Sequence, residues 1–182
     1  MRYLGAVCGN DILACDPLKV EAIATMPVHK TPTGIRAFLG AARFLRRWIP
    51  HYAAKTTPLN AMLKKGIDIG KEWGKAQDKA VQIIKDTLTS YPVLRAFNPD
   101  IPCTIVSDAC DTSVGGALCQ QHEGKLAVVA YCSMALKGPQ LNYSVQEKEA
   151  YGVVICVEKF RHYLLHSRFQ VRICTDHKVY NS

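Results

Sequence analysis

Residues 103–133 decide the fold class of this 182-residue chain and read CTIVSDACDTSVGGALCQQHEGKLAVVAYCS. The stretch contains three short runs, bounded by turn residues, that are typical of β-strands. These runs are Cys103–Ser107, Gly115–Gln120 and Lys125–Ser133. Glu123 and Gly124 separate the last two runs and predict a turn between paired strands. The stretch therefore indicates neighbouring strands of one sheet.

A long helix and a further strand follow this stretch. Ser144 stands three residues before Glu147, and this spacing predicts a capping box at a helix N-terminus. The helix is expected to continue to about Leu164, and residues 169–175 then form a β run. Three strands, a helix and another strand in this order predict an α/β unit.

The first hundred residues are predicted to be mainly helical, after two short strands within residues 1–16. Asp16 and Thr31 each precede a proline, and each pair is typical of a helix start. The second of these helices has an apolar stripe of three- and four-residue steps, and Pro50 is expected to end it. The helices predicted in this part are 17–25, 32–49, 52–64 and 75–89.

Charge is distributed unevenly along the chain. Lys and Arg number 23 against 15 Asp and Glu, so the formal net charge is +8. No acidic residue occurs between Glu21 and Asp68, but eight bases do. Arg36, Arg43 and Arg47 are predicted to share one face of the second helix. A surface of one sign attracts polyanions such as nucleic acid, although a solvated basic surface explains the charge equally well.

Composition excludes several classes of protein. With 48% hydrophobic and 21% charged residues, the chain is neither disordered nor collagen-like. The uncharged apolar run at 127–136 is shorter than the roughly 20 residues of a membrane span. Asn10 and Asp11 interrupt the segment that a signal peptide would need. The eight cysteines form no C-x-x-C pair, so we expect buried free thiols in a reducing compartment, without a disulfide frame or structural zinc.

Three acidic residues are candidates for a catalytic site. Asp108 and Asp176 each follow directly on a predicted strand, where ligands of α/β sheets commonly bind. Glu149 heads an otherwise apolar helix face, so its carboxylate needs a partner or a metal ion. Together the three carboxylates predict an all-oxygen site suited to Mg²⁺.

Two of the three candidate acids, Asp108 and Asp176, also have a structural interpretation. Aspartate is common where strands turn into loops, and for Asp108 or Asp176 alone this is the better explanation. Glu147 has a structural role in the predicted capping box, whereas Glu149 has none. The active-site interpretation therefore depends on all three candidate acids meeting in space.

Several motifs of the chain occur in an order that resembles a known family. In the second half they are Ser107-Asp108-Ala109-Cys110, Gly115-Gly116-Ala117-Leu118, Ala130-Tyr131-Cys132-Ser133, NYSVQEKEA at 142–150, KFRHYLL at 159–165 and Thr175-Asp176-His177-Lys178. These motifs resemble the ribonuclease H domain of long-terminal-repeat retroelement reverse transcriptases, most closely the gypsy-type group. Four motifs upstream resemble the thumb and connecting segment of the same enzyme. They are Phe38-Leu39-Gly40, Arg46-Arg47-Trp48-Ile49-Pro50, Thr57-Pro58-Leu59 and Pro92-Val93-Leu94.

The resemblance implies a division of the chain into three parts. Residues 1–16 correspond to the end of palm-like strands, and residues 17–95 to a helical thumb and connection module. Residues 96–182 correspond to an RNase H-like domain that is incomplete at its C-terminus. The expected fold class is α/β: a helical thumb-like module followed by a truncated RNase H-like mixed sheet with a long helix.

The resemblance also implies an activity and its site. It implies cleavage of the RNA strand of an RNA–DNA hybrid by a two-metal mechanism with Mg²⁺, or alternatively Mn²⁺. It assigns the catalytic and metal-binding roles to Asp108, Glu149 and Asp176. It places the basic helix at 32–49 along the duplex, with phosphate contacts and no base readout. The expected nucleic-acid contacts are Arg36, Gly40, Arg43, Arg46 and Arg47.

Two departures from the family's pattern leave two functions open. The chain has no Asp-Asp pair like that of the polymerase site, and the family's fourth carboxylate and a histidine fall after Ser182. In the first interpretation, the chain is a fragment of a reverse transcriptase with ribonuclease H activity. In the second, it is a truncated or decayed copy of that enzyme that binds nucleic acid and does not cleave it. Expected partners are an RNA–DNA hybrid or template–primer duplex and the rest of the pol polyprotein, including palm, fingers and integrase, with no membrane. The expected location is the cytoplasm or a virus-like particle.

Overall fold

The computed structural model describes residues 2–3, 6–9, 11–90, 93–175 and 178–180. Within these residues, a first sheet has four antiparallel strands in the order β1-β2-β3-β4. The strands are β1 (Arg2–Tyr3), β2 (Ala6–Gly9), β3 (Ile12–Cys15) and β4 (Val93–Arg95). β4 was not predicted, and its pairing with β3 brings the end of the helical part back to its beginning.

Helices fill the chain between β3 and β4. They are α1 (Pro17–Thr25), α2 (Pro32–Phe44), α3 (Tyr52–Ala61), α4 (Ile69–Glu72) and α5 (Lys75–Thr89). Both predicted N-caps are confirmed, because Asp16 Oδ1 accepts from the N–H of Leu18 at 3.1 Å and Thr31 Oγ1 from the N–H of Gly34 at 3.1 Å. α4 is an addition to the predicted helices.

The helix α2 is shorter than its apolar stripe predicts. It ends at Phe44, and a 3₁₀ turn follows at Arg46–Trp48. The tighter turn lets Trp48 and Ile49 both reach the core, where Trp48 Nε1 donates to the carbonyl oxygen of Leu13 at 3.2 Å. Periodicity alone misses such an ending because a 3₁₀ turn also repeats at three-residue steps.

The second sheet is mixed, and one long helix packs on it. Its strands lie in the order β7-β6-β5-β8-β9, and β8 is parallel to β5 while the other pairs are antiparallel. The elements are β5 (Cys103–Cys110), β6 (Ser113–His122), β7 (Lys125–Ala135), α6 (Val145–Leu164), β8 (Arg172–Thr175) and β9 (Lys178–Tyr180). The predicted α/β class is confirmed. β8 starts later than the predicted run at 169–175, and β9 was not predicted.

Glycines let α6 approach the second sheet closely. A Cβ on Gly116 would lie 2.3 Å from the carbonyl oxygen of Val106 and 2.8 Å from Sγ of Cys156. A Cβ on Gly152, within α6, would lie 2.9 Å from Oγ of Ser107. All three distances are shorter than a carbon contact allows, so larger residues at these positions would push helix and strands apart.

The strand β7 joins the two halves of the molecule. One hydrophobic cluster lies among the helices of the first half, and another lies between α6 and the second sheet. Val128 and Tyr131 of β7 pack against the first cluster, and Ser133 Oγ accepts from the N–H of Ala53 at 3.0 Å. No helix among the described residues has both the length and the apolar character needed to cross a membrane.

Candidate active site and nucleic-acid interface

Asp108 lies near the carboxyl end of β5. Successive side chains of a strand point to opposite faces of the sheet. Ser107 is buried beneath α6, since its Oγ approaches the position that a Cβ on Gly152 would occupy. Asp108 therefore points toward the other face, which packs on the helical part of the chain. Its side chain is 42% exposed, so solvent and ions can reach the carboxylate.

A histidine from the helical part of the chain pairs with Asp108. His51 Nδ1 lies 3.5 Å from Asp108 Oδ2. His51 immediately precedes α3 and has a φ of 51°, a left-handed conformation that few residues other than glycine adopt. The same two residues line a cavity of about 370 Å³ with Pro50 and Tyr131. Sequence reasoning missed this contact because the two partners are far apart along the chain and no local pattern links them.

The capping box predicted at the start of α6 is confirmed. The Ser144 N–H donates to Glu147 Oε2 at 2.8 Å, and the Glu147 N–H donates to Ser144 Oγ at 3.3 Å. The hydrogen bond from the Ser144 backbone, with a further contribution from its side chain, holds the pKa of Glu147 below its ordinary value. Glu147 therefore acts in the helix start, as its spacing predicts.

Glu149 is half-buried in the first turns of α6, one turn before Gly152. A Cβ on Gly152 would lie 3.8 Å from the carbonyl oxygen of Asp108, so α6 crosses β5 beside this acid. Asp108 and Glu149 thus belong to elements that meet at one end of the second sheet. Asp176 lies outside the described residues, so the three-acid site stays a prediction. In the ranges that the structure describes, no three His, Cys, Asp or Glu side chains are grouped to hold a metal ion.

A basic groove runs along α2 and onto the end of β7. Four of the five predicted nucleic-acid contacts line it, together with Lys137. These four are Arg36, Gly40, Arg43 and Arg46. The groove has a volume of about 510 Å³, and none of its lining residues is acidic. Among the described residues, no carboxylate forms an ion pair with these bases, so their positive charge is uncompensated.

The fifth predicted contact, Arg47, lines a neighbouring basic cavity of about 310 Å³. Other residues of this cavity are Arg46, Lys159, His162 and Tyr163. Arg47 is half-buried, and its Nη2 donates to the hydroxyl of Tyr163. The predicted helix face shared with the other arginines is therefore wrong for Arg47, because α2 ends early and the 3₁₀ turn carries this side chain inward.

Three basic residues of these surfaces were missed from the sequence. Lys137, Lys159 and His162 belong to the second half of the chain, where acids and bases are nearly balanced. Only the docking of β7 and α6 against the helical part brings them beside the arginines. A usable signal was the three-residue spacing of Lys159 and His162, which places both on one side of α6.

Gly40 lies on the open side of the groove. No heavy atom lies within 4 Å of the position that a Cβ would occupy there, and the residue is exposed. Close packing against another helix is therefore not the reason for a glycine at this position. The open backbone leaves room for a ligand to approach α2.

The seven cysteines that the structure describes have free thiols. Burial raises the pKa of Cys15 to about 12 and that of Cys119 to about 11. Both thiols therefore stay protonated at neutral pH and pack as small apolar side chains.

Comparisons with known proteins agree with these features. The family described as the RNase H-like domain found in reverse transcriptase matches residues 73–171, which is more than half of the chain. The Transposon Tf2-3 and Tf2-4 polyproteins of Schizosaccharomyces pombe are each 39% identical over 160 residues. The match covers 87% of this chain and 12% of each polyprotein, so the chain spans a small part of these relatives.

Solved structures share the fold at low sequence identity. The foamy viral protease-reverse transcriptase dRH in complex with double-stranded DNA has a TM-score of 0.74 at 16% identity, covering 96% of this chain and 31% of that one. The foamy viral protease-reverse transcriptase in complex with RNA/DNA hybrid has a TM-score of 0.70 at 14% identity, covering 94% and 24%. The mixed sheet, the ordered motifs and the matched family lead to one conclusion: this chain belongs to the family of RNase H-like domains found in reverse transcriptases, and its likeness to long-terminal-repeat retroelement pol polyproteins is confirmed.

Proposed function

We propose that this chain binds the phosphate backbone of an RNA–DNA hybrid or template–primer duplex along the basic groove and the adjoining basic cavity. The observation that carries the proposal is the continuity of the two surfaces. Arg46, Ser133 and Met134 line both, and no acidic residue lines either. The foamy viral structures of the same fold are complexes with double-stranded DNA and with RNA/DNA hybrid, which supports this choice of ligand.

The chemistry of the groove suits phosphates better than bases. Three of its bases are arginines, whose planar guanidinium groups match phosphate oxygens in pairs. Each phosphate that a base neutralises releases counterions, so the logarithm of the affinity falls with the logarithm of the salt concentration by about 0.9 per contact. We therefore propose binding that depends strongly on salt and weakly on sequence.

We further propose that the complete protein cleaves the RNA strand of the hybrid and that Asp108, Glu149 and Asp176 hold Mg²⁺ for this step. The donor set fits, because hard divalent cations prefer carboxylate oxygens and the Asp108 carboxylate is open to solvent. Two bound ions would activate water and stabilise the leaving oxygen. The crossing of α6 over β5 supports the pairing of Asp108 with Glu149.

A second candidate function is binding without cleavage. The orientation of Asp108 favours it, because the carboxylate faces His51 and points away from the face that α6 covers. For cleavage, Asp108 must release His51 and turn toward the end of the strand. Half-exposed pairs of this kind contribute only up to about 1 kcal/mol, so a bound metal ion can displace the histidine.

Salt-dependent binding of the 182-residue chain to a labelled RNA–DNA hybrid tests the first part of the proposal. Arg43→Gln combined with Arg46→Gln is expected to weaken binding and to lower the salt slope by about 1.8. Lys75→Gln combined with Lys79→Gln is the matched control, since it removes the same charge from the exposed side of α5. Equal losses in both variants would show that net charge, and not the groove, governs binding.

Incubation of the same hybrid with Mg²⁺ separates the two candidate functions. Fragments of the RNA strand that require Mg²⁺ would support the nuclease. Salt-sensitive binding with an intact RNA strand, both for this chain and for a longer polyprotein that contains it, would support binding alone.

A further inference from the structure

The basic cavity lies at the junction of the two halves of the molecule. It lies between the 3₁₀ turn Arg46–Trp48, the strand β7 and the last turns of α6, so its walls come from both halves of the molecule. Arg46 and Arg47 face it from the first half, and Lys159 and His162 from the second. No acidic residue lines it, so an anion there meets positive groups from two sides.

One of the two arginines of this cavity, Arg47, contacts a cluster of aromatic side chains. Tyr163 accepts the hydrogen bond from Arg47 and is itself enclosed by two rings. The centroid of Phe97 lies 5.2 Å from that of Tyr163, and the centroid of His162 lies 4.0 Å from it. Burial raises the pKa of Tyr163 even though the charge of Arg47 opposes the rise, so the hydroxyl keeps its proton. Tyr163 can therefore donate this proton to a ligand oxygen while it accepts from Arg47.

One N–H group of the Arg47 guanidinium donates no hydrogen bond within the part of the chain that the structure describes. Its Nε is buried and has no hydrogen-bond partner among the described residues. A buried donor in this state costs free energy, and a small movement of the side chain toward the cavity would let a ligand oxygen relieve that cost. The guanidinium fork of arginine matches a phosphate group, because two of its N–H groups can reach two phosphate oxygens at once.

We infer that the basic cavity is a phosphate-binding site, in which Arg47, Lys159, His162 and Tyr163 hold one phosphodiester of the nucleic-acid backbone across the junction of the two halves. The inference rests on the proposed duplex binding and deepens it. The phosphodiester is favoured over a free anion because the cavity adjoins the basic groove and shares Arg46, Ser133 and Met134 with it, so a strand in the groove would place a neighbouring phosphate near the cavity. A phosphate bound there would also link α6 to the 3₁₀ turn by contacting residues of both elements.

A variant of an exposed cavity residue tests the site without disturbing the core. Lys159→Gln in the 182-residue chain is expected to weaken hybrid binding roughly three- to tenfold and to lower the salt slope by about 0.9. Lys75→Gln is the matched control on α5 and should change neither value. Tyr163→Phe keeps the half-buried ring and removes the hydroxyl, so it should weaken binding at temperatures well below its midpoint of thermal unfolding, which is measured beside it because Arg47 Nη2 loses its acceptor.

A double-mutant cycle shows whether the two halves hold the same phosphate. If they do, Arg47→Gln combined with Lys159→Gln loses less affinity than the sum of the single losses. Additive losses, or a Lys159→Gln variant that binds like the parent, would overturn the shared site. The groove variant Arg43→Gln separates the two failures. If it weakens binding while Lys159→Gln does not, only the cavity assignment fails. If neither weakens binding, the duplex proposal fails as well.

Inorganic phosphate distinguishes a phosphodiester from a free anion. Titration into the chain, followed by the NMR signal of His162, is expected to show weak saturation, and added phosphate should compete with the hybrid only at high concentration. Tight saturation by inorganic phosphate in a chain whose hybrid affinity is unaffected by Lys159→Gln would assign the cavity to a free anion and overturn the proposal.

Discussion

The basic groove differs in its packing from the end of the second sheet where the elements that carry Asp108 and Glu149 meet, which we call the acidic end. The groove is lined by charged side chains on an open surface, and no heavy atom lies within 4 Å of the position of a Cβ on Gly40. The acidic end is set by close packing, where Gly116 and Gly152 let α6 lie against β5 beside Asp108. Long-range attraction tolerates small displacements of each charge, whereas metal coordination requires carboxylates at fixed positions. We therefore expect graded losses from changes in the groove and abrupt losses from changes at the acidic end.

The largest expected effect is the loss of cleavage in Asp108→Asn. The amide keeps the shape of the side chain but removes the charge that would hold the metal ion, so RNA cleavage should fall at least about 100-fold in a protein that cleaves. Hybrid affinity should stay near that of the parent, because Asp108 lines neither the groove nor the basic cavity.

Asp111→Asn is the control for this change, since it removes a carboxylate just beyond β5 whose side chain is fully exposed. An Asp108→Asn protein that cleaves at the parental rate would remove this acid from the catalytic site.

Two glycine variants compare the packing of the two regions directly. Gly116→Ala is expected to lower the free energy of unfolding by about 1–3 kcal/mol, because the new methyl group meets the backbone of β5 and the thiol of Cys156. Gly40→Ala is expected to raise it by about 0.5–1 kcal/mol, since alanine favours the helix and nothing crowds the site. Urea unfolding of both variants measures the difference, and equal effects would contradict the contrast between a packed and an open region.

A smaller effect is expected from Lys137→Gln, which tests whether the groove includes the second half of the chain. Loss of one phosphate contact should lower the salt slope of hybrid binding by about 0.9 and the affinity a few-fold. Lys125→Gln is the control, because this lysine is exposed at the other end of β7 and outside the groove. Equal binding by the two variants would restrict the contacts of the groove to the helical part.

The smallest expected effect belongs to Glu147, whose role is confined to the helix start. Its lowered pKa means that the capping interaction stabilises the fold above the ordinary value of 4.5 and is lost as the pH falls through the lower, folded-state value. Thermal unfolding of Glu147→Ala should therefore show a smaller loss of stability on acidification than the parent shows.

Glu158→Ala, an exposed acid on the same helix, serves as the reference for this pH comparison. Parental pH dependence in Glu147→Ala would remove the capping box from the stability of α6.

The sequence predicts the elements better than it predicts their assembly. The caps at Asp16, Thr31 and Ser144 follow from local spacing, and the structure confirms each of them. The end of α2, the contact of His51 with Asp108 and the inward turn of Arg47 depend on tertiary packing, which no local pattern encodes. For the same reason, runs of charge in the sequence do not predict that Lys137, Lys159 and His162 lie beside the arginines.

A structure of the 182-residue chain with an RNA–DNA hybrid tests the central claim most directly, because it locates the backbone relative to the groove. We predict phosphate oxygens within hydrogen-bond distance of Arg43 and Arg46, and one phosphodiester in the cavity beside Arg47. A duplex seated on another face, for example along α5, with the groove unoccupied, would contradict the account.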